Sequence, residues 1–234
     1  MVTRKTAAPP ERAYRGVGIA QRKAERRARL LQAAIQCFGR DGYHATTLKA
    51  LCAEAGLTER YFYESFTNFD EILCSCYQHA AETIFSIVSA DIARAQPDPI
   101  SRLRAALKSY FKVIADDPAR AHLTLIEIVG ASDSANQAYR TQLGITVDVI
   151  RLEIFKELLP NPGNGLSLQI LATAMMGAAY QLAKEWVLSD FKLPRATLLR
   201  NLEAVAAGII NQWQRAPAAA ASAGKSKRNL KTEL

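Results

Sequence analysis

The 234-residue chain predicts an all-α protein of about nine helices. Three observations lead there. Ala and Leu are abundant while Gly and Pro sit mostly at junctions, a composition that favours helix over sheet. Apolar residues recur at the i, i+3, i+4, i+7 spacing of an amphipathic helix, as Leu31, Ala34, Ile35 and Phe38 do. No stretch shows the period-2 alternation of a strand. Hydrophobic residues make up 49% of the chain, enough for a substantial core.

Taken in order, residues 1–20 hold Pro9, Pro10, Gly16 and Gly18 among basic residues and read as a flexible basic arm. A first helix covers about 21–40 and ends in the turn at Gly42. The second covers about 47–54, with Leu48, Leu51, Cys52 and Ala55 on one face and Thr46 or Thr47 as its cap. A third runs over about 58–64, capped by Thr58. The fourth starts near Asn68 and continues to about 94, where Pro97 and Pro99 break the chain. Further helices follow over about 100–115, 117–131 and 134–159. The Pro160-Asn-Pro-Gly-Asn-Gly165 segment is a loop. The last two helices cover about 167–190 and 194–213, and the Ala-rich, then basic, residues 216–234 read as a disordered tail.

The net charge of +8 is uneven. Residues 1–60 hold 12 Lys/Arg against 5 Asp/Glu, and residues 216–234 hold 4 against 1, so the middle is slightly acidic. A basic N-terminal third on a near-neutral body suits a polyanionic partner; a solvated charged face is the plainer alternative. The four cysteines, Cys37, Cys52, Cys74 and Cys76, show no zinc-like spacing and read as small, mostly buried thiols. No run reaches 18 apolar residues and no leader-like apolar segment follows the basic start, so a cytoplasmic, soluble protein is expected.

The stretch over 39–73 is the informative one. Two short helices flank Ala55-Gly56-Leu57, and a tight Gly-containing turn between short amphipathic helices is the helix-turn-helix arrangement. Leu51, Leu57, Phe62 and Phe66 can form a small core beneath the pair. The second helix then offers Thr58, Glu59, Arg60, Tyr61 and Tyr63 outward, near its N-terminal end, where residues reach base edges. Arg60 can donate a bidentate pair to guanine. Tyr61 and Tyr63 can donate to phosphate or pack on a thymine methyl. Thr47, Lys49 and Thr58 can hold phosphates and fix register, with Ser65 and Asn68 completing the candidate face. Glu59 must accept from a cytosine N4 or turn away.

Gly42, Tyr43, Ala45, Thr46, Thr47, Ala55, Gly56, Leu57, Thr58, Phe62, Tyr63 and Phe66 together resemble the DNA-binding module of the tetracycline-repressor-like (TetR-type) regulators. The likeness covers about 50 residues and joins spacing, turn glycine and core positions. It implies a helix-turn-helix domain over 21–67, with its motif at about 47–66, and a helical ligand-binding and dimerisation domain over 68–215. One position departs: where the family often has a phosphate-binding Lys three residues after the last Phe, this chain has Phe69, followed by Asp70. Asn68 takes part of that role.

No catalytic constellation, phosphate loop or metal motif is visible in the C-terminal part, and neither enzyme activity nor a cofactor is expected. The resemblance implies a mostly apolar pocket among helices 4 to 8. Candidate lining residues are Phe85, Tyr110, Ile114, His122, Ile126, Glu127, Phe155, Met176, Tyr180 and Trp186. Tyr110, Tyr180 and Trp186 stand out because buried Tyr and Trp need hydrogen-bond partners, and Glu127 because its neighbours are apolar. Each could equally be plain core. The 170–180 run carries no charge and includes Ala174, Gly177, Ala178 and Ala179, which permit close helix approach. The resemblance implies a homodimer through helices 8 and 9; a helix central to its own monomer is the alternative. The function expected is a DNA-binding repressor released by a small, mostly apolar effector. Its rivals are an architectural DNA-binding protein, marked by a body without a cavity, and a helical enzyme, marked by an acid/base pair in a pocket. A membrane-surface role is weaker, since neither tail has an apolar face.

Overall fold

The computed structural model describes residues 13–158 and 166–214. Its helices are α1 (Ala13–Asp41), α2 (Leu48–Ala55), α3 (Glu59–Tyr63), α4 (Phe69–Arg94), α5 (Pro99–Asp116), α6 (Pro118–His122), α7 (Asp133–Val149), α8 (Leu168–Leu188) and α9 (Arg195–Gln214). No strand occurs among the described residues, in keeping with the all-α expectation. The expected loop at 160–165 and tail at 216–234 lie outside the described residues, as do residues 1–12 of the arm.

The remainder of the expected arm is helical. α1 begins at Ala13 rather than near residue 21. Each interior Gly costs a helix roughly 1 kcal/mol relative to Ala. Bonds along the helix offset this: Arg22 Nε donates to the Gly18 carbonyl at 2.9 Å, and Gln21 to Glu25 at 3.1 Å. Apolar periodicity does not register such polar pairs.

Side-chain caps set most other boundaries. Thr47 accepts from the Ala50 N–H, Asn68 from Glu71, Asp98 from Ser101, Asp117 from Arg120, Ser132 from Ala135 and Ser167 from Ile170. Pro99 and Pro118 occupy first-turn positions, where the missing N–H costs nothing. Thr58 caps α3 by backbone position only; its side chain makes no capping bond.

Two helices expected to be continuous change pitch instead. The sixth is α-helical only to His122; Leu123–Glu127 is a π-helical turn, in which the Ile128 N–H reaches five residues back to the Leu123 carbonyl at 3.2 Å. The seventh passes into a second π turn, Ile150–Ile154, closed by the Phe155 N–H on the Ile150 carbonyl at 2.9 Å. One extra residue per turn leaves too little trace in apolar spacing to be read from sequence.

Two cores form. The first joins α1, α2, α3 and the beginning of α4, and reaches across to Leu123, Ile128 and Ala135. The second fills the body among α5, the Ile150–Ile154 turn, α8 and α9. Cys37, Cys52 and Cys76 are buried and Cys74 half-buried, all as free thiols.

Candidate functional site

The helix-turn-helix is built on Gly56. Its φ of 60° is left-handed, and its N–H closes α2 on the Ala53 and Cys52 carbonyls. Arg29 of α1 donates to the Ala55 carbonyl at 2.7 Å and to that of Gly56 at 3.3 Å, tying the turn to the domain's longest helix. Sequence reasoning passed over Arg29, because a basic residue on an amphipathic helix looks like any solvated charge.

Beneath α3, Phe62 and Phe66 are fully buried. Phe69 joins them, 5.9 Å from the Phe62 ring and 5.7 Å from Phe38. The residue standing where the resemblance implies a lysine is therefore part of an aromatic cluster and offers no cation to phosphate. Asn68 is also engaged: its side-chain oxygen accepts from the Glu71 N–H at 2.8 Å. Only its amide N–H groups remain to meet an anion.

Thr47, Lys49, Thr58, Glu59, Arg60, Tyr63 and Asn68 are exposed, while Tyr61 and Ser65 are half-buried. The Arg60 side chain is 84% exposed and donates to Glu64 at 3.2 Å. Arg26 stacks 4.5 Å from the Tyr61 ring and lies 3.6 Å from Glu64. Arg26 and Glu64 thus set the posture of Tyr61 and Arg60, and neither was singled out from the sequence.

In the body, α4, α5, α7 and α8 and both π turns enclose a cavity of about 970 Å³, its mouth included. Its wall is mostly apolar, with Phe85, Leu107, Leu143 and Met175 prominent. Polar groups are few: the hydroxyls of Tyr77, Tyr110 and Tyr180, with Thr124, Gln142 and Thr146. Desolvation pushes the acidity constants of all three phenols upward, so they stay protonated donors at neutral pH. Tyr180 donates to the Leu125 carbonyl at 3.0 Å.

Of the expected lining residues, Phe85, Tyr110, Met176 and Tyr180 face this cavity; Ile114, His122, Ile126, Glu127, Phe155 and Trp186 do not. Ile114 and Phe155 are fully buried core, and Ile126 packs beside the same core. The Trp186 indole N–H finds its partner in the Leu193 carbonyl at 2.8 Å, with the ring against Phe111 and Phe191. A buried indole needed an acceptor, and backbone supplied it. Tyr77, Ala81, Ile84 and Val88 were missed, although they recur at i, i+4, i+7 and i+11 on the face of α4 that carries Phe85.

His122 and Glu127 point at the DNA-binding domain instead. Glu127 Oε2 accepts from the Tyr43 N–H at 2.6 Å, and Oε1 lies 3.4 Å from His122 Nδ1. Tyr43 follows Gly42, whose φ of 86° makes the turn after α1. Two residues before α1 ends, Gly39 meets the Ala119 backbone of α6 so closely that a Cβ would overlap it. The turn between α1 and α2 is thereby fastened to α6 and its π extension. Thr124 and Leu125, on that same π turn, line the cavity.

Among the described residues no cluster of three or more His, Cys, Asp or Glu could hold a metal ion, and no helix is long and apolar enough to cross a membrane. The family model described as "Bacterial regulatory proteins, tetR family" matches residues 30–75. The Fatty acid metabolism regulator protein of Bacillus subtilis is 21% identical over 201 residues, 82% of this chain and 100% of that one. The HTH-type transcriptional activator FasR of Mycolicibacterium smegmatis is 32% identical over 93 residues, 40% of this chain and 42% of that one. Among solved structures, the fatty acid degradation regulator FadR of Bacillus halodurans superposes with a TM-score of 0.67 at 19% identity, covering 77% of this chain and 93% of that one. FadR of Bacillus subtilis, in complex with stearoyl-CoA, gives 0.66 at 20% identity, covering 76% and 96%. At these identities the superpositions establish the fold; together with the matched DNA-binding module, they place the chain in the TetR family of transcriptional regulators.

Proposed function

We propose that this regulator holds operator DNA as a homodimer, through α2 and α3, and releases it when a long acyl chain fills the cavity. One observation carries the reading. The π turn Leu123–Glu127 lines the cavity with Thr124 and Leu125 and holds the Tyr43 N–H with Glu127. A ligand that displaces the first pair moves the second, and with it the entry to the helix-turn-helix.

The cavity's character selects the ligand class. A long wall of Leu, Ile, Phe and Met suits a methylene chain, with the tyrosine hydroxyls available where it becomes polar. The relatives named for fatty acid metabolism agree with this choice. An architectural DNA-binding protein has no need of such a cavity, which counts against that rival. On the DNA side, Arg60 and Tyr63 read the groove, Thr47, Lys49 and Thr58 hold phosphates, and Glu59, Tyr61, Ser65 and Asn68 complete the face.

The dimer is proposed through α8 and α9. On their outer faces Ile170 is 69% exposed and Leu188 and Val205 are about half exposed, an apolar surface beyond what a helix buried in its own monomer leaves. A Cβ at Gly177 or Gly208 would meet nothing within 4 Å in the monomer, so both helices can be approached closely.

The test is titration of stearoyl-CoA into the protein and into an Ala179→Trp variant, whose indole would occupy the cavity. Binding by the first and at least about a tenfold loss in the second, with operator binding kept, supports the reading. Equal binding by both places the ligand elsewhere.

A further inference from the structure

A second recess adjoins the cavity. It is an open groove between α4 and α7, lined in part by Gln78, Glu82, Ser134, Gln137 and Thr141. Tyr77 and Gln142 belong to both its wall and the cavity's, so the two spaces meet there. An apolar chain in the cavity whose polar end passes this pair emerges into the groove.

The groove's chemistry is specific. Its lining offers amides and hydroxyls, which both donate and accept, and one carboxylate; it contains no Lys or Arg. α4 carries Asp70, Glu71, Glu82 and Asp91 along its length, and its single Arg, Arg94, stands at the far end. The single Arg of α7, Arg140, is outside the lining. An anion seated here would lose water without gaining a cation and would stand beside Glu82. An uncharged chain of amides would find complementary partners throughout.

We infer that the groove is the subsite for an uncharged, amide-bearing headgroup, such as the pantetheine arm of an acyl thioester, and that Glu82 makes it discriminate against free fatty acids. The inference rests on the acyl reading of the cavity and adds the headgroup class to it.

Four probes with the same chain separate the possibilities: stearoyl-CoA, stearoyl-pantetheine, stearic acid and stearyl alcohol, each titrated calorimetrically near neutral pH. The two thioesters should bind within about tenfold of each other, and the acid and the alcohol at least about tenfold more weakly than stearoyl-pantetheine. Glu82→Gln should narrow the gap for the acid. Gln142→Leu should weaken the thioesters while leaving the alcohol unchanged, which also reports an intact cavity. Stearoyl-CoA binding far more tightly than stearoyl-pantetheine, with a steep salt dependence, would mean that phosphates are recognised and would overturn the inference. Equal binding of stearyl alcohol and stearoyl-pantetheine would overturn it too, while leaving the cavity reading intact. No binding by any of the four would remove the cavity reading and this one with it.

Discussion

Arg60 is held by a carboxylate of its own helix. The bond to Glu64 spans one exposed helical turn, where such pairs contribute only about 0.3–0.5 kcal/mol. A bidentate contact to guanine is worth roughly 1–3 kcal/mol, so DNA wins the guanidinium. Arg60→Ala should therefore cost about 1–3 kcal/mol of operator affinity and relax specificity at one base pair, whereas Lys49→Ala should weaken all sequences alike and lower the salt slope by about one. Quantitative shift assays over a salt series, with operator and scrambled duplexes, separate the two. Most of this face was legible in the sequence because exposed Thr, Lys, Arg and Tyr around Gly56 form a local pattern. What was not legible is what the side chains do to one another: Arg29 on the turn carbonyls, Arg26 on Tyr61, Glu64 between two arginines, and Asn68 already used as a cap. Those contacts join positions far apart in sequence or reuse residue types that also occur as plain surface.

The start of α4 shows how a cap carries pH dependence. Glu71 accepts from both the Thr67 N–H and the Thr67 hydroxyl at 2.7 Å, and these donors hold its carboxyl below the usual carboxylate range. A depressed folded value means the stabilisation is fully present at neutrality and is lost as pH falls through the carboxylate range. The melting difference between wild type and Glu71→Gln should accordingly be present near neutral pH and vanish on acidification. The Leu123–Glu127 π turn matters more for regulation. Replacing Glu127 by Ala leaves the Tyr43 N–H without its carboxylate, for a loss of about 2 kcal/mol and roughly 4–8 °C in Tm. It should also reduce the effect of ligand on DNA affinity, while each partner still binds alone. Unchanged coupling in a folded Glu127→Ala protein would exclude this route. The sequence marked Glu127 as an unusual acid among apolar residues, which was sound; its direction depends on a π turn that periodicity cannot resolve. The same holds for the cavity. Phe85, Tyr110, Met176 and Tyr180 were found as aromatic or flexible residues on apolar helices, but Phe155 and Trp186 have the same appearance and are core.

At the scale of the whole molecule, regulation needs two copies. A dimer with isologous contacts through α8 and α9 would present two α3 helices to half-sites about 34–36 Å apart, or a multiple of that. Gly177 offers a clean test, because its surroundings in the monomer are empty and a new side chain there does not disturb the core. Gly177→Arg should give folded monomers by light scattering, with loss of operator binding; a dimer that still binds operator would put the interface elsewhere. The central claim is that the cavity and the DNA face are one thermodynamic system, joined through the Leu123–Glu127 turn. Linkage makes this measurable from either side, since a ligand that weakens DNA binding must itself be weakened by DNA to the same extent. The decisive measurement is a calorimetric titration of stearoyl-CoA into the protein alone and into its complex with an operator duplex obtained by unbiased selection. A coupling of about 1–3 kcal/mol predicts roughly 5–150-fold weaker ligand binding in the complex. The same ligand affinity in both would contradict the account.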